Sequence, residues 1–238
     1  MTVTAIESAK SAKAVESEKP AAPVLYVDSA EPLWRAVVNA TLFASTEETL
    51  QVIHAVHFHR DTEGNLNVVS TDRYRMFMDK VEHRAGTDVG EFAFSVSLPD
   101  AKQLATVLKG AGKLSVMLVV EEDRVRVQAG NSEMTLQFVA GDFPKYHKLV
   151  PARDAEAVAT DVIAFNPKFL AALGKLKFAR GTGYMARFRL FGTNKPALVE
   201  YAEGPTVLQM PVRLNEEKPA ASAKKEPAAE QAAEAKAA

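Results

Sequence analysis

The chain has 238 residues and no cysteine, with 29 Lys and Arg against 30 Asp and Glu and a formal net charge of -1. That length supports one large domain or two small ones with a real core, and the missing thiol excludes disulfides and thiolate chemistry and fits a reducing compartment. No apolar run approaches the ~18–20 residues of a membrane helix, and the first ten residues lack the apolar stretch of a secretory signal.

Residues 1–22 are rich in Ala, Ser, Lys and Glu, and residues 215–238 in Ala, Glu and Lys. Neither has the large apolar residues that offset ordering entropy, so both are predicted to be disordered tails. Between them a unit recurs three times: a β-type stretch, a proline, a short amphipathic helix and further β-type sequence. Its prolines, Pro32, Pro99 and Pro167, are 67 and 68 residues apart by subtraction. A fixed period of this kind marks a copied supersecondary unit.

The first unit starts at Leu25, with Asp28 or Ser29 capping a helix that carries Pro32 in its first turn. Leu33, Trp34, Val37, Val38, Thr41 and Leu42 form its apolar face, and strands are predicted over 51–58 and over 66–81 with a break near Asp72. In the second unit Phe92, Phe94 and Val96 alternate as in a strand. Its helix begins near Pro99 and buries Ala101, Leu104 and Leu108; strands follow at 114–120, 124–129 and 134–139. In the third, a strand over 162–165 leads to the cap Asn166 and to Pro167 at the first helical position. Phe169, Leu170, Leu173 and Leu176 point inward, and strands follow at 186–191, 197–201 and 207–212. The fold class read from this is α+β, as β-α-β-β-β repeats with helices on one face and antiparallel sheets on the other.

The body from 24 to 214 holds 22 basic and 22 acidic residues, so distribution matters more than sum. The outward helix faces carry Arg35 and Asn39, then Lys102 and Lys109, then Lys168 and Lys175. Between Val162 and Val199 there are seven basic residues, including Lys177 and Arg180, and no acid. A basic stripe on a neutral body is the footprint of phosphate contact, although a solvated helix face looks the same. No phosphate-binding glycine loop, zinc-protease signature or nucleophile elbow is present. His57 and His59 share a strand face near Asp61 while His54 lies on the other, which reads as exposed edge histidines rather than metal ligands, and Asp72 reads as an ion-pair partner fixing a turn.

Three strings close the three units: Ser70-Thr71-Asp72-Arg73-Tyr74-Arg75-Met76, Gly141-Asp142-Phe143-Pro144-Lys145-Tyr146 running on to Pro151, and Met210-Pro211-Val212-Arg213-Leu214. In order and spacing they resemble the bacterial DNA polymerase III β subunit, the sliding-clamp family. Residues 23–150 resemble its whole middle domain, made of two halves, and 151–214 only the second half of its last. The resemblance implies a processivity factor that uses no cofactor and makes or breaks no bond. Its partners would be double-stranded DNA, held without sequence preference, and a replicative polymerase, a clamp loader and other proteins carrying clamp-binding motifs. It would be a cytoplasmic, nucleoid-associated homo-oligomer with no membrane association.

The resemblance also implies a peptide pocket walled by Ile53, Thr71, Arg73, Tyr74, Arg75 and Met76 from the first unit. Pro144, Lys148 and Leu149 would come from the second, and Leu208, Met210, Pro211, Val212, Arg213 and Leu214 from the third. The DNA-facing candidates are Arg35, Lys102, Lys109, Lys168, Lys175, Lys177 and Arg180. Arg73-Tyr74 stands where the family usually has Gly-His, and the chain continues past Leu214, where the family usually stops. With three halves instead of four, a second reading remains: an adaptor that binds clamp-motif peptides without encircling DNA.

Overall fold

The computed structural model describes residues 22–85, 90–152, 155–158, 162–181 and 185–213. Both predicted tails, apart from Ala22, lie outside the described residues, and so does Leu214.

The first unit is β1 (Val24–Val27), α1 (Ala30–Ala40), β2 (Ala55–Arg60), β3 (Leu66–Thr71) and β4 (Arg75–Val81), followed by a short β5 (Arg84–Ala85). The second is β6 (Phe92–Ser97), α2 (Leu98–Ala111), β7 (Val116–Val120), β8 (Arg124–Ala129) and β9 (Ser132–Gln137). The third is α3 (Pro167–Leu173), β10 (Arg187–Arg189), β11 (Ala197–Glu200) and β12 (Thr206–Gln209).

Each helix starts on a side-chain cap. Ser29 Oγ accepts from the Glu31 amide, Ser97 Oγ from the Asp100 amide at 3.2 Å, and Asn166 Oδ1 from the Lys168 amide at 3.0 Å. These bonds satisfy amides that have no carbonyl within the helix. Ser97 also donates to the Asp100 carboxylate at 2.7 Å, so that cap is tied from both sides.

The strands form two antiparallel sheets, ordered β5-β1-β7-β8-β9 and β10-β11-β12-β4-β3-β2-β6. The first two units exchange their leading strands. β1 pairs with β7 (Leu25 opposite Leu118), and β6 pairs with β2 (Phe58 opposite Phe94). The third unit joins the seven-stranded sheet through β12 on β4, from Thr206 opposite Met78 to Gln209 opposite Arg75.

The main core lies between the sheets and the helices. It takes Leu33, Ala36, Val37 and Ala40 from α1, Ala101, Leu104 and Leu108 from α2, and Ala172 and Leu176 from the third unit. A smaller cluster of Val69, Met76, Tyr146, Phe191, Leu198 and Leu208 packs with Phe143 and Val150.

Several sequence expectations change. Residues 51–54 form a turn instead of strand, because the Ile53 and His54 amides both return to the Leu50 carbonyl. Among residues 162–165 only Ala164 makes a β-bridge, to Val212. Asn39 is fully buried, not outward: its Nδ2 donates to the Lys177 carbonyl at 2.9 Å, and its Oδ1 accepts from the Lys177 amide at 2.7 Å. This pair of bonds joins α1 to the turn after α3. The histidines are also corrected. β2 is an inner strand between β3 and β6, and His57 is buried.

Candidate functional site: a peptide-docking surface and a basic helix face

The turn between β3 and β4 is built by Asp72. Its Oδ1 accepts from the Tyr74 amide at 3.0 Å and the Arg75 amide at 2.7 Å, while Oδ2 accepts from Arg75 Nη2 at 2.7 Å. The ion pair expected of Asp72 is present, nearly buried on both sides. The Arg75 guanidinium lies 4.9 Å from the Phe43 ring centre and 4.6 Å from that of Phe169. A cation between two aromatic faces, with its charge already paired, is stable despite burial. Thr71 Oγ1 closes the turn by donating to the Arg75 carbonyl at 2.7 Å.

Arg73 sits at the tip with φ 76°, the one non-glycine residue in the left-handed region among the described residues. A glycine would suit this position better, since a Cβ there costs roughly 1 kcal/mol. Arg73 reaches Glu47 at 3.0 Å, and Tyr74 stacks on Phe169 at 5.8 Å. Phe169 therefore serves the site from a helix that sequence periodicity aimed only at the core.

The last strand ends against this turn. The Met210 amide donates to the Tyr74 carbonyl at 2.9 Å, and the Val212 amide to the Ala164 carbonyl at 2.7 Å. Met210 and Pro211 are half-buried, Tyr74 is 53% exposed and Val212 47% exposed, and Arg213 stands in solvent. Gln209, beneath Met210, is fully buried, and its Oε1 has no hydrogen-bond partner among the described residues.

The loop carrying Pro144, Lys148 and Leu149 is anchored from below, with all three exposed. Phe143 stacks flat on His57 at 4.4 Å, and the Tyr146 hydroxyl meets His59 Nδ1 at 2.7 Å. Burial lowers the His57 pKa to about 4, with the nearby His59 adding to the effect. Burial also pushes the Tyr146 hydroxyl up to about 12, and the Asp61 charge pushes in the same direction. The histidines are thus loop anchors, a role the sequence did not signal. Gly141 starts the loop at φ 106°, and a Cβ there would come within 2.9 Å of Val52.

The structure therefore gathers Thr71, Arg73, Tyr74, Arg75 and Met210 around one turn, while Pro211, Val212 and Arg213 follow Met210 in the chain and Val212 is held to Ala164. Ile53, Met76 and Leu208 are placed differently: all three are buried, and the latter two pack side by side across β4 and β12 as core. They support the surface from beneath and offer no wall to a ligand.

On the helix side Lys102, Lys109, Lys168, Lys175, Lys177 and Arg180 are exposed. Arg35 is not an open cation, since Glu31 one turn earlier holds it at 2.9 Å. Beneath α1, on β4, burial pushes the Asp79 carboxyl up to about 6, partly opposed by the amide of Lys80 and by Arg35.

A β-α-β-β-β pair with exchanged leading strands, extended by a third unit, is a clamp-type fold. Residues 29–145 match the family model for the central domain of the DNA polymerase III beta subunit. The chain is 29% identical over 143 residues to the beta sliding clamp of Synechococcus elongatus, covering 58% of this chain and 36% of that one. It is 28% identical over 129 residues to that of Caulobacter vibrioides, covering 52% and 34%. It thus spans about a third of the length of these relatives. Among solved structures, the DNA polymerase III beta subunit of Thermotoga maritima aligns with a TM-score of 0.68 at 16% identity, over 85% of this chain and 70% of that one. Caulobacter crescentus pol III beta aligns at 0.69 and 21% identity, over 84% and 69%. At such identities these structures establish the shared fold.

Proposed function

We propose that this protein is a sliding-clamp-like processivity factor, which tethers a DNA polymerase and other DNA-processing proteins to duplex DNA and transforms no substrate. The observation that carries the reading is the Met210–Tyr74 junction, where an apolar strand end meets a rigid, cation-rimmed turn. Met210, Pro211 and Val212 form a deformable apolar strip of the kind that accepts several short peptides. Tyr74 flanks it, and in this reading Leu149 would border the peptide while Arg73, Lys148 and Arg213 would favour peptides that also carry acidic residues. Leu214, the next residue in the chain, is included from the resemblance.

The exposed cations of α2, α3 and the turn after α3 would meet phosphates without sequence preference, with affinity falling as salt rises. Weak, interchangeable contacts permit sliding, and the peptide site converts sliding into processivity by raising the local concentration of the polymerase. Asn39 ties the third unit to α1, which keeps the basic turn at Lys177 in line with the other helices. A second reading, a peptide-binding adaptor that does not encircle DNA, is favoured by the single state of the third unit.

Fluorescence polarisation with a polymerase-derived clamp-motif peptide tests the site. Met210→Ala combined with Leu214→Ala should weaken binding at least about tenfold, roughly 1.4 kcal/mol, with an unchanged circular dichroism spectrum. Unchanged peptide affinity would reject the assignment. Retention on nicked circular DNA, lost when the circle is cut, separates encirclement from the adaptor.

A further inference from the structure

The two paired units differ where the chain enters them. Ser29 and Ser97 cap their helices 68 residues apart by subtraction. Ala22 and Pro23, which lead into β1, therefore correspond to Gly90 and Glu91, which lead into β6. Ahead of β6 the incoming chain is fastened to the β2–β3 hairpin. Arg60 donates to the Gly90 carbonyl at 3.1 Å and to His83 Nε2 at 3.4 Å, and His59 Nε2 meets the Glu91 carboxylate at 3.2 Å. Ahead of β1 the matching hairpin is β7–β8, where the Val120 amide donates to the Pro23 carbonyl at 2.9 Å. Beside that bond is a groove of about 770 Å³, lined by Phe92, Val120, Phe138 and the hairpin tip 121–124, with Ala22 and Pro23 on its wall. Its floor is aromatic: Phe92 and Phe138 stack on Phe94 at 6.0 and 4.8 Å, and both stay half-buried. Its rim is acidic. Glu121 holds Arg124 and Arg126, while Glu122 and Asp123 stand exposed at the tip.

We infer that this groove seats the chain's own Lys19-Pro20-Ala21, the residues immediately ahead of Ala22. Pro20 and Ala21 cover Phe92 and Phe138, and the Lys19 ammonium lies against Glu122 and Asp123. Lys19 is the first charged residue met on leaving β1 toward the N-terminus, and its sign is the one this rim attracts. Proline suits an apolar floor because it brings no backbone N–H that would need a partner there. Three extended residues reach at most about 11 Å, so the occupant is held at high effective concentration and weak contacts suffice to seat it. The strap spans the two sheets at one end of the main core, since Phe92 belongs to the seven-stranded sheet and Val120 to the five-stranded one. It repeats, with charge and apolar contact, the clasp that Gly90 and Glu91 make through hydrogen bonds. The inference does not depend on peptide or DNA binding.

The chain has no cysteine, so an introduced pair reports on the strap without interference. In the full chain, Lys19→Cys combined with Asp123→Cys should close a disulfide under mild oxidation and run at monomer mass on a non-reducing gel. Residue-resolved hydrogen exchange gives a second reading, from the Val120 amide bonded to Pro23 and the Phe138 amide bonded to the Asp123 carbonyl. Lys19→Glu should speed exchange at both amides at least about fivefold, and Lys10→Glu should leave both unchanged. A pair that stays reduced overturns the inference. A disulfide that joins two molecules also overturns it, by assigning the groove to a second copy. Exchange indifferent to Lys19→Glu overturns it as well and leaves the groove to a separate partner.

Discussion

Within the paired units, α1 buries six of its eleven residues and α2 five of its fourteen. In the third unit α3 is seven residues long and fully buries only Ala172. All three helices have the same cap chemistry and the same proline near the start. The difference lies in the partner: α1 and α2 cover one another, while α3 meets Arg75 and Tyr74 through Phe169, and the turn after it is bonded to Asn39. Amphipathic pattern starts a helix, but the opposing surface decides how much of it is buried. The third unit's attachment consequently adds polar and aromatic contacts to the aliphatic packing of Ala172, Leu176, Val199 and Val207 in the main core.

The sharpest way to break that contrast is to remove the same side chain from both regions. Leu104→Ala, at the centre of α2, should cost about 2–5 kcal/mol of global stability, because a closely packed site collapses only partly around the cavity. Leu176→Ala, in the third unit, should cost about half as much and act through local opening. Urea unfolding measures the first, and hydrogen exchange of β10–β12 amides the second. Equal global losses would show the third unit to be as tightly integrated as the others.

Two titratable groups extend the comparison to pH, half-buried Asp79 under α1 and buried His57 under the loop. Asp79 holds its proton more tightly when folded, with its pKa raised from 3.8 to about 6. Its ionisation therefore takes stability away as pH rises through that interval. His57 is shifted the other way, from 6.5 to about 4, and takes stability away as pH falls through its own. The two slopes oppose each other between pH 4 and 6. Asp79→Asn should raise stability at neutral pH by about 1–2 kcal/mol and leave the loss on acidification steeper, as His57 then acts without its counterweight. Urea midpoints at pH 7 and pH 5 check both signs, and an unchanged pH profile would remove Asp79 from the account.

The smallest effect concerns the turn tip. Arg73→Gly should relieve the left-handed backbone strain by roughly 1 kcal/mol, less the part returned through the freer unfolded chain. It also deletes the exposed pair with Glu47, which is worth little. Thermal melting would register a rise of a few degrees at most, and a clear loss of stability would show that the Glu47 pair matters more than the strain.

Much of this molecule is legible in its sequence. The three prolines, the caps at Asp28 or Ser29 and at Asn166, and the alternation through Phe92–Val96 announce the repeat, because caps and periodicity are local properties. The motif strings at 70–76, 141–151 and 210–214 likewise mark the ends of units. What escapes a reading by period is any residue whose role is set by a distant neighbour. Asn39 looks like a solvent-facing polar residue and is instead a fully buried clasp for Lys177. His57 and His59 look like edge residues but lie on an inner strand beneath Phe143 and Tyr146. Met76 and Leu208 look like pocket wall and are core, because β12 pairs with β4 and turns both side chains under the loop.

The sequence by itself determined the number of units, the start of each helix and the turns at 61–65 and 72–74, since these depend on backbone preferences within a few residues. Only the tertiary structure decided which strand lies beside which. Edge pairing is a contest among many chemically similar strands, and it is settled by which arrangement buries the most apolar surface without leaving backbone groups unpaired. That contest seated Met210 against Tyr74, and it left β10 at the end of its sheet.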